Sequence, residues 1–181
     1  MMFRERLIAL FYNCATGSRR TRLLLTPVGP LVFLCFLLLL IGVSRWVDHL
    51  LGLPRFPGPP LNMVLSFPLL VFGTFLTSWS VATFLKGRGT PVPFNPPPEL
   101  VEKGPYRWSR NPMLTGLFAL LFGIGILLGS LSLTFAFTPL FIGLMVWEIT
   151  AVEEPELERR LGEDYLRYRE RVAMFWPRWR R

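Results

Sequence analysis

Four apolar runs dominate this chain: Pro27 to about Val43, Leu61 to Leu85, Pro112 to about Gly129, and Leu131 to about Ile149. A hydrocarbon core about 30 Å thick is crossed by about 20 apolar residues in a helix, so each run is close to one crossing. With 51% hydrophobic residues and a mean hydropathy of +0.41, the chain is too apolar for an ordinary soluble domain. The bilayer is its solvent. The expected fold is therefore an all-α integral membrane protein with four transmembrane helices.

Charge fixes an expected orientation. The net charge of +8 comes from basic segments interleaved with the apolar runs, which points to cytoplasmic loops and anionic headgroups as partners and away from nucleic acid. With four spans and a cytoplasmic N-terminus, five basic residues precede the first span: Arg4, Arg6, Arg19, Arg20 and Arg22. Five more (Lys86, Arg88, Lys103, Arg107, Arg110) fall in the central loop, and eight (Arg159, Arg160, Arg167, Arg169, Arg171, Arg178, Arg180, Arg181) follow Glu154. Only Arg45 and Arg55 fall outside, so both termini are expected in the cytoplasm.

The segments between the runs divide the single expected membrane domain, residues 1–181. Residues 1–26 alternate Arg with Phe, Leu and Ile, as a short helix lying on headgroups does, and 27–85 hold the first two spans. Pro27 and Pro30 are expected in the first turn of the first span, where a missing N–H matters least. The prolines between Leu53 and Pro60, and those at 91, 93, 96, 97 and 98, call for non-helical connectors. The link Gly129-Ser130 is so short that the third and fourth spans must form an antiparallel hairpin. Gly116, Gly123, Gly125 and Gly129 suit close helix packing.

Pro155 predicts a break, after which Leu157, Leu161, Tyr165, Tyr168 and Val172 recur at helical spacing in a C-terminal amphipathic surface helix. Glu156/Arg160 and Glu163/Arg167 are its expected i,i+4 pairs, and 178–181 form a basic tail. Cys14 and Cys35 have no metal-binding spacing, and no metal site is expected.

Chemistry concentrates in the polar hinge Gly104 to Gly116, GPYRWSRNPMLTG, and in the doublet Glu153-Glu154. The span count brings both to one membrane face, where a pocket polar toward water and apolar toward lipid suits a charged soluble cofactor and a lipid-like substrate. Alternatively the doublet is an acidic helix start complementing Arg107 and Arg110. Glu148 lies about one turn inside the expected boundary, where an ionisable group is a functional candidate. His49, the sole histidine, falls on the far side, which argues against a histidine-based mechanism.

The hinge, followed after two spans by EEPELERRLGEDYLRYRERV, resembles the isoprenylcysteine carboxyl methyltransferase superfamily of integral membrane enzymes, which includes the phospholipid methyltransferases. The resemblance covers roughly Thr90 to Pro177 and implies S-adenosylmethionine as cofactor. It implies that Pro98, Glu99, Leu100 and Val101 run along the adenosine, and that Tyr106 is the family's tyrosine. Arg110, Asn111, Pro112, Met113 and Leu114 fall on the Arg-His-Pro-x-Tyr element, and Glu153 and Glu154 on its acidic pair. Asn111 replaces the usual His, Leu114 the frequent Tyr, and Ile149 an arginine that one branch places near a substrate carboxylate.

Under that resemblance the doublet can meet the cofactor's ammonium or ribose, and Arg110 or Asn111 its carboxylate. Tyr106 or Trp108 can lie against the sulfonium, though both can equally be headgroup-level aromatics. A carboxylate acceptor needs no base, whereas an amine would lose its proton to Glu148 or Glu153. Two other readings remain open: an NADPH-dependent sterol- or steroid-type membrane reductase, and a non-catalytic membrane binding module.

Overall fold

The computed structural model describes residues 2–16, 19–87 and 100–176. The expected proline loop at 91–98 and the basic tail at 178–181 lie outside the described residues. Among the described residues there is no strand, only an isolated parallel bridge between Ser109 and Ala173. The helices are α1 (Met2–Thr16), α2 (Arg19–Leu50), α3 (Leu61–Lys86), α4 (Pro112–Leu128), α5 (Thr138–Glu148), α6 (Glu154–Leu161) and α7 (Glu163–Arg171). A 3-10 turn covers Gly104–Arg107, and π-helical segments cover Leu133–Phe137 and Ile149–Glu153.

Three stretches, Pro27–Leu50, Leu61–Lys86 and Leu133–Leu161, are helical, long and apolar enough to cross a membrane. The expected third span, α4, is a shorter apolar helix of 17 residues, about 26 Å at 1.5 Å per residue. The connector between α2 and α3 is non-helical, as its prolines require.

Pro27 and Pro30 do not open their helix. α2 begins at Arg19 and carries both inside it, because a proline deletes one N–H and the neighbouring turns of a long helix remain bonded around it. Nor does Pro155 break the chain. An α-helix would drive its ring into the carbonyl of Ala151, but the π segment Ile149–Glu153 loosens the turn just before it, and helix continues to Leu161.

The C-terminal stripe is also different from its expected form. Gly162, at φ +58°, divides it into α6 and α7, and Tyr165, Tyr168 and Val172 form a buried cluster against which Leu100, Leu157 and Leu161 pack. The stripe is protein core, since its partner is the chain's own segment at Leu100. Glu156 and Arg160 do pair, at 2.9 Å, but Glu156 is buried; Arg167 pairs with Asp164 at 2.6 Å and not with Glu163.

The chain forms two compact units. One comprises Phe33–Ser78 and Met113–Leu144. Here α3 and α4 touch at backbone level: a Cβ on Gly116 would fall 2.5 Å from Thr77 Oγ1 and 2.9 Å from the Gly73 carbonyl oxygen. A Cβ on Gly125 would fall 2.5 Å from Thr134 Oγ1, across the hairpin turn at Gly129-Ser130. The close approach expected of these glycines is present. Phe141 is fully buried against the rings of Phe33, Phe36 and Phe118. Buried Asp48 accepts from the Ser130 hydroxyl and, at 2.9 Å, from the Ser132 N–H, while the Ser132 hydroxyl donates to the Ser44 carbonyl at 2.6 Å. The other unit comprises Met1–Val32, Trp79–Pro112 and Met145–Arg181, and holds the hinge and the acidic doublet.

Candidate functional site

The hinge opens at Gly104, whose φ of +58° is left-handed and whose absent Cβ leaves room for Thr83 Oγ1, 3.0 Å from where that atom would sit. A side chain would meet both a strained backbone and the α3 wall. Pro105 then starts the 3-10 turn and buries Tyr106. The Tyr106 ring lies 4.8 Å from that of Phe84, its hydroxyl bonds with Ser80, and its carbonyl accepts from the Tyr168 hydroxyl at 2.7 Å.

Three residues later the hinge is pinned to the chain that follows α7. The Arg110 N–H donates to the Ala173 carbonyl at 2.8 Å and the Asn111 N–H to the Met174 carbonyl at 3.0 Å. Ser109 Oγ (3.1 Å) and Asn111 Nδ2 (3.3 Å) donate to Met174 as well. Held this way, Arg110 reaches the doublet: Nη1 stands 2.9 Å from Glu154 Oε1, with the two side chains only 12% and 13% exposed.

The pair is close yet not aligned for a hydrogen bond. Among the described residues, Arg110 Nε and Nη1 and Glu154 Oε1 are buried without a hydrogen-bond partner. Such groups are costly to bury and are normally satisfied. The second Glu154 oxygen lies 3.9 Å from Arg169, which itself pairs with Glu158. Glu153 ends the π segment that Glu148 precedes, and one π turn of five residues carries both to one face of the helix. Glu148, Glu154, Glu156 and Arg160 are its charged neighbours.

Burial raises the Tyr106 phenol above the usual tyrosine range, and the nearby Tyr168 and Glu153 add to the rise. Burial does the same for Tyr165, with Glu154 adding, and for Tyr168, with Glu102 adding. All three rings are neutral at neutral pH, and the Tyr168 hydroxyl donates to the Tyr106 carbonyl.

The structure thus brings Tyr106, Arg110, Glu153 and Glu154 together. Leu100 and Val101 lead into the hinge, Leu100 against the Tyr165 cluster and Val101 beside Gly87. Pro98 and Glu99 lie outside the described residues. Asn111 turns its amide to Met174, and Pro112 is fully buried at the start of α4. Met113 and Leu114 belong to the other unit, where the Met113 carbonyl is 3.5 Å from Thr77 Oγ1. Trp108 is exposed and meets Trp79 edge-on at 5.9 Å.

Sequence reasoning missed the supports. Tyr165 and Tyr168 read as a helical stripe, although hydroxyls inside an apolar stripe signal buried partners. The rung from Arg110 and Asn111 to Ala173 and Met174 is backbone bonding that no residue type announces.

A guanidinium and a carboxylate with little exposure, ion-paired but each with buried atoms outside hydrogen-bond geometry, have the chemistry to meet a ligand that carries both signs of charge. The model of the phospholipid methyltransferase family matches residues 61–164, more than half of the chain, including the hinge and the doublet. No curated protein and no solved structure matches the chain.

Proposed function

The chain belongs to the phospholipid methyltransferase family, and from that premise we propose that it transfers a methyl group from S-adenosylmethionine to a lipid-like or hydrophobic small-molecule acceptor at the cytoplasmic membrane face. Family and helices together make it an integral membrane methyltransferase. The cofactor, the acceptor and the face are the proposal, as is the four-span topology, whose support is the count of basic residues and the apolar character of α4.

The observation that carries this reading is the unsatisfied Arg110–Glu154 pair. Arg110 Nε and Nη1 would receive the cofactor's carboxylate, and Glu154 with Glu153 its ammonium or ribose hydroxyls. Asn111 is less suited, because its amide already serves Met174. Leu100 and Val101 would offer backbone groups along the adenosine, and the neutral Tyr106 ring would wall the site.

When bound, S-adenosylmethionine supplies a methyl group on a cationic sulfur, open to in-line displacement at carbon. The chain's part is to align and to exclude water, for which a hinge pinned at Ala173, Met174 and Tyr168 is well built. A carboxylate acceptor needs no proton removed. An amine acceptor would give its proton to the Glu153 carboxylate, with Glu148 one π turn away as the relay outward.

Purified protein in detergent, titrated separately with S-adenosylmethionine and NADPH, tests the reading. Only the former should bind, and Glu153→Gln or Tyr106→Ala should weaken it. NADPH binding alone would favour a membrane reductase, and binding of neither would favour a non-catalytic module.

A further inference from the structure

The helix α1 was expected to lie on headgroups with its arginines in water, but Arg4 and Glu5 have partners in the chain itself. Pro155 has no N–H, so the helix cannot return its usual bond to the carbonyl of Ala151, four residues earlier. Arg4 Nε donates to that carbonyl at 2.8 Å. One residue on, Glu5 pairs with Arg159 of α6 at 2.9 Å. Ile8, on the same face of α1 as Arg4 and Glu5 by helical spacing, is 1% exposed. A hydrogen bond and an ion pair therefore seat α1 on the π turn and on α6, and Ile8 is buried on the same face.

That turn is where the acidic doublet sits. Ala151 lies two residues before Glu153 and three before Glu154, inside the segment whose loosened winding sets where those carboxylates point. A π turn followed by a proline loses one α-type donor, and an outside donor can hold the turn in its place. Here that donor comes from the far N-terminus of the chain.

We propose that Arg4 is a positioning residue for the methyl-donor site: its bond to the Ala151 carbonyl fixes the π turn and so the aim of Glu153 and Glu154. This rests on the S-adenosylmethionine reading above. Seating of α1 and binding of the cofactor are then coupled, each favouring the other by the same factor.

The test uses the full chain in detergent, as wild type, Arg4→Ala and Arg4→Lys, with two readouts. Amide exchange across residues 149–156 of the ligand-free protein should rise about tenfold in Arg4→Ala. S-adenosylmethionine affinity should fall about three- to tenfold, with the effect in KM for the donor while kcat holds, and Arg4→Lys should recover part of both. Should Arg4→Ala fold poorly, Ile8→Val loosens α1 through its buried side chain and should shift both readouts in the same direction. Unchanged exchange in Arg4→Ala, or raised exchange with affinity within about twofold of wild type, overturns the proposal. A wild-type chain that binds no S-adenosylmethionine overturns the functional reading instead, and the exchange comparison then still decides whether Arg4 orders the turn.

Discussion

Asp48 in one unit and Glu154 in the other are held in opposite ways. In one, Asp48 is fully occupied by the Ser130 hydroxyl and the Ser132 N–H, and the surrounding helices approach through Gly73, Gly116 and Gly125. In the other, Glu154 lies against Arg110 at 2.9 Å with buried atoms on both partners unsatisfied among the described residues. A satisfied buried network specifies a structure, whereas one left incomplete carries a cost that folding alone does not explain. On the function proposed above, the difference separates a carboxylate that holds helices from one that would meet the cofactor.

The largest expected effect is from Glu154→Ala, which strands the Arg110 charge and should cost about 3–5 kcal/mol in denaturant unfolding. Next is Gly116→Val, which drives side-chain atoms into Thr77 and the Gly73 carbonyl; a loss of about 3 kcal/mol is expected, with weaker binding only in proportion to unfolding. Asp48→Ala should follow, at about 2 kcal/mol, with S-adenosylmethionine affinity per folded molecule unchanged. If Asp48→Ala abolished binding in a chain that remained folded, the contrast between the two carboxylates would fail. Tyr168→Phe removes the donor to the Tyr106 carbonyl and should cost about 1 kcal/mol while measurably weakening the cofactor. Smallest is Arg167→Ala: its pair with Asp164 is exposed at both ends, so melting should hardly move.

Much of this was legible in the sequence for reasons that can be named. The apolar runs specified helices because lipid leaves the backbone few other options, and Gly116 and Gly125 marked close packing because a missing Cβ is itself the signal. The meeting of Arg110 with Glu154 is the charge pairing that the sequence offered as the alternative to a cofactor site. What escaped was governed by local backbone bonding. Pro27 and Pro30 were expected to begin a helix and instead sit inside one, and Pro155, in the first turn of α6, follows a π turn rather than a break. Arg4 read as a headgroup-facing cation because no residue type discloses which distant carbonyl lacks its donor.

The most direct measurement is calorimetric titration of S-adenosylmethionine into the detergent-solubilised wild type and into Arg110→Met/Glu154→Leu. An apolar pair of similar volume should keep the fold, since replacing both buried charges avoids stranding either. The account predicts saturable binding at one site per wild-type chain and at least about a hundredfold loss in the folded double variant. Equal affinity in the two would contradict it.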